Sequence, residues 1–332
     1  MVQSARGKWL LMGAVMSIVV LLFFGSMVWG YTATTWRDVL DAYTQRGDTI
    51  EQHVIRDLRT PRAVVAAIVG AALAVSGTLM QAITRNPLAG PSLLGINAGA
   101  GLAVVLGVTV IGLTEIRHYV WFAFLGAGLT ALAVYGIASV GKEGPTPLKL
   151  TLAGAAISAL ISSLTSGLLI LNENGLQSVM FWMAGSVEGR PLSLVWPVLP
   201  LLAAGFVLAL AVGRSLNTFA LGEDIAKSLG QRTGLLRLVV SVAVLLLAGS
   251  SVAIAGPIGF IGLVIPHVTR WLVGRDYTWI IPGSALLGAS LLLLSDIGAR
   301  FLLFPREVPV GTITALVGAP FFIYLARTGS KT

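Results

Sequence analysis

Apolar stretches of about 20 residues recur along almost the whole chain, and each is long enough to cross a bilayer core as one helix. Only 11% of the 332 residues are charged, whereas soluble domains carry about a quarter. The pattern predicts an all-α, polytopic transmembrane helical bundle of about ten spans, forming one domain over residues 1–332. The predicted spans are 9–29, 63–83, 93–112, 119–140, 151–171, 192–213, 235–256, 257–273, 278–298 and 308–326.

Two parts of this pattern need interpretation. The first span follows Arg6 and Lys8, and its apolar run exceeds the roughly 7–15 residues usual in a signal peptide, so we predict a retained helix. Between spans seven and eight, Gly256-Pro257-Ile258-Gly259 is the available break. One long kinked apolar run is the alternative.

The segments between the spans alternate in charge. Segments on the N-terminal side hold most of the Lys and Arg residues and few of the acidic ones, which by the positive-inside rule predicts N-in and C-in orientation. This orientation leaves an outer loop at about 30–62 and a long inner segment at about 214–234. The formal net charge of +8 comes from basic residues scattered singly, so it does not predict nucleic-acid binding.

Two segments of small residues, Gly70–Gly77 and Gly249–Gly256, share their spacing. In the predicted topology they lie on helices that run in opposite directions. An inverted repeat is one interpretation of this similarity. Packing of small residues between neighbouring helices is the other.

The sequence offers no reaction chemistry of its own. Cysteine is absent and the three histidines lie far apart, which predicts neither thiolate chemistry nor a histidine metal cluster. Residues 136–143 fit a phosphate-binding loop except that Glu143 stands where Ser or Thr is needed. Asp296 and Arg300 are four residues apart within a span, which predicts an ion pair on one helix face. We therefore predict no catalytic residue, no cofactor and no metal ligand in this chain.

The inner segment contains a predicted short helix, LGEDIAKSLG at 221–230. Its two acidic residues stand at the start, Lys227 in a later turn and Gly230 at the end, which suits the helix dipole and a glycine stop. Ile225 and Leu229 are four residues apart and would form one apolar face. Docking to another protein is the favoured interpretation, and a helix lying on lipid is the alternative.

Several long segments carry a family resemblance. The stretch 59–97, RTPRAVVAAIVGAALAVSGTLMQAITRNPLAGPSLLGIN, resembles the signature region of binding-protein-dependent ABC importer permeases of the iron-siderophore and cobalamin class. The resemblance covers nearly the whole chain beyond the first span. It continues through FWMAGS (181–186), LGEDIAKSLG (221–230), GPIGFIGLVIPHVTR (256–270) and DIGARFLLFPREVPVGTITALVGAPFF (296–322).

This resemblance implies an assembly and residue roles. The assembly would contain a second permease, identical or paralogous, two ABC ATPase subunits that carry ATP and magnesium, and an extracytoplasmic substrate-binding protein. The implied ATPase-coupling residues are Leu221, Gly222, Glu223, Ile225, Ala226, Leu229 and Gly230. Arg59, Arg62 and Arg300 match arginines that receive acidic residues of the binding protein, with membrane anchoring as the alternative.

Two inner loops match loops that close the cytoplasmic end of the pathway in that family. The matching residues are Asn86, Pro87 and Leu88 in one loop and Thr146, followed by Pro147 and Leu148, in the other. The proline in each loop is predicted to stop a helix.

The expected function is inward transport of a ferric siderophore by alternating access across the cell membrane of a bacterium. This chain would be the multi-pass, non-enzymatic permease. Import of cobalamin or haem by the same mechanism is one alternative. An ion-coupled secondary transporter is the other, disfavoured because the spans offer few charges near the bilayer centre. The sequence leaves open which chelate is carried, whether the permease pair is identical, and whether the binding protein is lipid-anchored.

Overall fold

The computed structural model describes residues 4–44, 49–141, 146–171, 179–303 and 306–328. In these ranges the chain is helical or irregular apart from one isolated bridge between Leu303 and Arg306. The helices are α1 (Ala5–Val28), α2 (Trp36–Thr44), α3 (Ile50–Thr84), α4 (Ile96–Ile111), α5 (Ile116–Ala138), α6 (Pro147–Leu171), α7 (Leu199–Ala211), α8 (Gly213–Ala220), α9 (Glu223–Ser228), α10 (Thr233–Ala255), α11 (Ile261–Val273), α12 (Tyr277–Phe301) and α13 (Val310–Thr328). Residues 179–183 are also helical.

Within the described ranges, six helices are long and apolar enough to cross a membrane. The pair α7 and α8 meets at a 46° bend and adds a seventh if it is one span. The helices α4, α11 and α13 contain shorter apolar stretches. This architecture confirms the predicted helical membrane bundle, while the count of ten spans and the N-in, C-in orientation remain predictions.

The predicted break between the seventh and eighth spans is present. The helix α10 ends at Ala255 and α11 begins at Ile261, so one continuous kinked run does not form. Gly256 has φ +73°, and a Cβ there would lie 2.2 Å from the Trp182 carbonyl oxygen. Glycine is required at this position because a side chain has neither the space nor the favoured backbone conformation.

The described part of the segment at about 30–62, predicted as an outer loop, is largely helical, and its outer placement stays a prediction. It contains α2 and the start of α3. Val39 and Ala42 of α2 are buried in a small apolar cluster with Val28 and Ile55. The helix forms because this face packs on the ends of α1 and α3, although the segment is too short and too charged to resemble a span.

The helix α3 lies at the centre of the bundle. In its apolar part 78% of the residues are buried, against 11% in α6. It packs along α12 and also contacts α1, α10 and α11. Near its C-terminal end, Gln81 Nε2 donates to the Gly262 and Leu263 carbonyl oxygens of α11, each at 3.3 Å. Both ends of this central helix lead to candidate sites.

Glycines allow α3 to approach its neighbours closely. A Cβ at Gly77 would lie 1.9 Å from the Gly262 carbonyl oxygen on α11, and one at Gly70 would lie 2.3 Å from the Gly288 carbonyl oxygen on α12. Small residues at such crossings bring the backbones together, and the resulting van der Waals contact helps helices associate in lipid. Packing thus accounts for the small residues of α3, and an inverted repeat stays a prediction.

Replacing Gly77 with Ala should separate α3 from α11. We expect a loss of about 1–3 kcal/mol from overpacking, larger than the gain of about 1 kcal/mol in helix propensity. Thermal unfolding of the purified protein in detergent would measure it. The matched control is Gly128→Ala in α5, where a Cβ meets nothing within 4 Å. Equal melting temperatures for the two variants would contradict the packing argument.

Candidate functional site

The predicted coupling segment forms a short helix, α9, as its end signals indicated. Gly222 precedes it with φ +138°, a conformation that favours glycine. Ala226 is fully buried, whereas Leu221, Ile225 and Leu229 are 64%, 50% and 66% exposed. We call these three exposed apolar side chains the coupling surface, and its coupling role stays a prediction.

Glu223 fastens α9 to the bundle. Its Oε2 accepts a hydrogen bond from Arg237 Nη2 of α10 at 2.5 Å, and its Oε1 lies 3.1 Å from Lys227 Nζ. Partial burial raises the pKa of Glu223, but the hydrogen bond from Lys227 and the charge of Arg237 outweigh it, so the pKa lies below its usual value. Glu223 is therefore charged at neutral pH. Gly230 donates its N–H to the Lys227 carbonyl oxygen at 2.9 Å, which ends the segment as predicted.

A polar cavity of about 700 Å³ opens beside α9. We call it the coupling cavity. Its lining residues are Arg85, Thr146, Gly222, Glu223, Asp224, Ile225, Lys227 and Arg237. It brings the coupling segment together with Thr146, which the sequence predicted as a gate residue, and with Arg85, which the sequence analysis did not select.

The first predicted gate loop is a tight turn at the end of α3. Arg85 is the left-handed C-cap of α3, with φ +49°. Asn86 Oδ1 then accepts the Leu88 N–H at 2.9 Å, and the Asn86 carbonyl oxygen accepts the Ala89 N–H at 3.1 Å. The Leu88 side chain lines a cavity of about 260 Å³, which Phe260 of the break between α10 and α11 also lines. We call residues Asn86–Leu88 the gate turn, and its gating role stays a prediction.

The second predicted gate loop differs from expectation. Pro147 is the first residue of α6, so the prediction that it stops a helix is wrong. Its fixed φ suits a first helical position, where the missing N–H costs nothing. Thr146 Oγ1 accepts the Lys149 N–H at 3.4 Å and so caps that first turn. Pro87, by contrast, follows the end of α3 as predicted, and Leu148 is exposed.

A second cavity, of about 580 Å³, lies at the opposite end of α3. Arg62 and Arg85 are separated by roughly 35 Å of helix. We call this second site the arginine cavity. Its lining residues are Gly30, Tyr31, Thr32, Val54, Asp57, Leu58, Arg59, Arg62, Glu188, Gly189, Arg190, Pro191, Arg300 and Glu307. All three arginines predicted to dock a binding protein therefore border one cavity.

Two of these arginines close the C-terminal end of α1. Arg59 Nη1 donates to the Val28 carbonyl oxygen at 2.8 Å. Arg300 Nη1 donates to the Ser26 and Trp29 carbonyl oxygens, both at 2.7 Å. Helix ends leave such carbonyls without partners in the helix. Arg59 and Arg300 are each 5% exposed, so both are bound mainly within the chain.

Arg62 joins the predicted ion pair into a network of four charges. Its Nε lies 2.8 Å from Asp296 Oδ1, and its Nη1 lies 2.6 Å from Glu307 Oε2. The predicted pair of Asp296 and Arg300 is confirmed at 2.5 Å, with the Asp296 side chain fully buried. Two guanidinium groups and two carboxylates therefore balance at the base of the arginine cavity.

Glu188 and Arg190, in the segment between residue 183 and α7, also line this cavity and were not among the predicted site residues. Arg190 is 4% exposed, and its Nε donates to the Ser186 carbonyl oxygen at 3.2 Å. Burial lowers the pKa of Arg190 to about 10, while the charge of Glu188 opposes this shift. Burial and the charge of Glu307 raise the pKa of Glu188. Two charges in a short segment between apolar runs were the available signal.

The apolar helices define a multi-pass membrane protein, and one polar cavity lies at each end of α3. The sequence profile of the FecCD transport family matches residues 18–328. The chain belongs to this family.

Relatives with curated names match along nearly their full length. The "Probable siderophore transport system permease protein YfiZ" of Bacillus subtilis (strain 168) is 51% identical over 329 residues, which is 99% of each chain. The "Ferric enterobactin transport system permease protein FepD" of Escherichia coli (strain K12) is 41% identical over 88% of this chain and 87% of the relative. A solved metal-chelate type ABC transporter in an inward-facing conformation superposes with a TM-score of 0.83 at 30% identity, covering 96% of this chain and 99% of that one.

Replacing Asp296 with Asn should leave Arg62 and Arg300 without their shared buried carboxylate. We expect a loss of about 3–5 kcal/mol, typical when one partner of a buried ion pair is removed. Chemical denaturation in detergent would measure it. The matched control, Glu115→Gln, removes a carboxylate from the exposed pair of Glu115 and Arg117, which should cost about 1 kcal/mol or less. An Asp296→Asn variant as stable as this control would refute the structural role of the network.

Proposed function

We propose that this chain is the membrane-spanning permease subunit of a binding-protein-dependent ABC importer that carries a ferric siderophore into a bacterial cell. The observation that carries the proposal is the match to the transport family and to a named siderophore permease over almost the entire chain. The 41% identical relative, named for ferric enterobactin, supports the same substrate class. Cobalamin or haem import by the same mechanism is the alternative.

Energy would come from two ABC ATPase subunits that bind ATP and magnesium, so this chain itself is not an enzyme. The coupling surface supports their docking site. Its exposed Leu221, Ile225 and Leu229 lie on and beside α9. The ion pair of Glu223 with Arg237 holds α9 against α10. Apolar residues at a polar end of the bundle suit a protein partner, because protein–protein interfaces have an apolar core within a polar rim. N-in orientation would place this surface in the cytosol.

A second permease, identical or paralogous, would complete the membrane part. The helix α6 supports this part of the proposal because so little of it is buried in the single chain. Its exposed face carries Ala155, Ala159, Ser162 and Ser166 along one side. Small and hydroxyl residues at such spacing suit contact with another helix more than contact with lipid chains.

An extracytoplasmic binding protein would deliver the chelate at the arginine cavity. Arg59, Arg62 and Arg300 border this cavity, although their guanidinium groups already contact partners inside the chain. An incoming carboxylate would therefore share these cations with the internal acceptors. Guanidinium groups can do this because each offers five N–H donors. At the cytoplasmic face, the gate turn and Thr146 would close the transport pathway.

Replacing Ile225 and Leu229 together with Asp should detach the ATPase subunits. Two charges in place of the apolar side chains would have to be desolvated in the interface, so we expect co-purification of the ATPase and ATP-driven uptake of ferric chelate into proteoliposomes to be lost. The control is Leu303→Asp, an equally exposed leucine elsewhere on the chain. Unchanged ATPase binding and uptake in the double variant would overturn the docking site. Concentrative uptake by the lone permease on a proton or sodium gradient would instead support the secondary transporter.

Reversing Arg59, Arg62 or Arg300 to Glu, one at a time, should weaken capture of the loaded binding protein. Losing one partner of a desolvated charge pair costs about 2–5 kcal/mol, and rim contacts contribute less. The loss should shrink as salt rises. Affinity of the reconstituted transporter for its binding protein at low and high salt is the measurement, with Arg117→Glu as the exposed control. If all three variants bind the binding protein as tightly as the control does, these arginines stabilise the fold and do not contribute to docking.

A further inference from the structure

A buried aromatic ring lies between the coupling segment and the gate turn. Phe219, in α8, is 1% exposed. The Arg85 guanidinium carbon lies 4.8 Å from the ring centroid, and that of Arg237 lies 5.7 Å from it. Both distances fall within the range of a cation–π contact, which is stronger when the cation is shielded from water. One ring therefore contacts two cations, one from the C-cap of α3 and one from α10.

Arg85 connects this ring to the gate turn. Its Nη2 also donates to the Phe219 carbonyl oxygen at 2.7 Å. Its backbone is left-handed, which is uncommon for a residue with a side chain and is retained where the surroundings determine it. Since Asn86 follows directly, the contact of Arg85 with Phe219 ties the residue before the gate turn to α8.

Arg237 connects the same ring to the coupling segment. Its Nη2 donates to Glu223 Oε2, at the first residue of α9. The main helix contacts of α9 are with α8, which carries Phe219, and with α10, which carries Arg237. A displacement of α9 thus reaches Arg237 through a charged hydrogen bond and Phe219 through the chain of α8.

We infer that Phe219 and its two guanidinium partners couple the position of α9 to the position of the gate turn. Phe219 is a positioning residue in this scheme, because it acts on the gate turn through Arg85. The inference rests on the proposed function, in which the ATPase moves α9 and the gate turn closes the pathway. Residues of α9 and Thr146 line the coupling cavity, whereas Phe219 is buried beside it, so the ring offers a packed connection between α9 and the gate turn.

Phe219→Leu tests the inference because it keeps an apolar side chain and removes the aromatic face. We expect ATPase subunits to bind within about twofold of the parent, and uptake per ATP hydrolysed to fall about tenfold, which corresponds to roughly 1.4 kcal/mol. Phe219→Tyr restores a ring and should restore most of the coupling. The matched control is Leu216→Met, a volume-conserving swap at another buried position of α8.

The gate turn can be followed directly because the chain contains no cysteine. A spin label on Leu88→Cys should change mobility when ATP is added to the assembled transporter, and this change should vanish in the Phe219→Leu background and return with Phe219→Tyr. Arg85→Gln provides a second test, and we expect the same loss of response with the ATPase still bound.

The outcomes separate this inference from the proposed function. A Phe219→Leu transporter with parental uptake per ATP and a parental label response would overturn the inference. Loss of ATPase binding in Phe219→Leu would also overturn it, because the ring would then only support the docking site. Failure of the Ile225 and Leu229 double variant to release the ATPase would count against the proposed docking site instead.

Discussion

Contact between glycine backbones sets the position of α3, and the two cavities depend on that position. Apolar side chains gain little from leaving lipid for a protein interior, so close approach supplies much of the attraction between membrane helices. Gly70 and Gly77 provide this approach toward α12 and α11. With α3 fixed between them, Arg59 and Arg62 stand at one end of the bundle and Arg85 at the other. The central helix thus supplies Arg59 and Arg62 to one cavity, and its C-cap supplies Arg85 to the other.

The arginine cavity shows how helix ends constrain the use of charged residues. The carbonyl groups at the end of α1 need donors, and Arg59 and Arg300 supply them. Asp296 and Glu307 then balance the charge of Arg62 and Arg300. The same guanidinium groups therefore already hold contacts within the chain. A partner that binds there must compete with, or share, these internal acceptors, which favours a partner rich in carboxylates.

Much of the fold could be predicted from local sequence because its causes are local. The apolar length of each span, the glycine and proline after Ala255, and the acidic start of α9 each act within a few residues. Other features depend on distant contacts. The helix α2 forms because Val39 and Ala42 find an apolar surface supplied by α1 and α3. Pro147 begins a helix because Thr146 caps it, and proline alone suits either a helix start or a stop.

The candidate sites show the same division. The helix α9, the gate turn and the pair of Asp296 and Arg300 could be located from spacing or from the family resemblance. Contacts that join segments far apart in sequence were missed, because no spacing rule links Arg85 to Phe219 or Arg62 to Glu307.

The continuity of α3 has a thermodynamic consequence. It extends from Ile50 to Thr84 with a π-helical stretch at Val54–Arg59, it lines the arginine cavity, and its C-cap Arg85 lines the coupling cavity. If a ligand at one end favours one placement of this rod, it alters the affinity at the other end. Linkage requires that the second ligand alter the affinity of the first by the same factor. Binding at one end of α3 would then change the affinity at the other end, although the two ligands never touch.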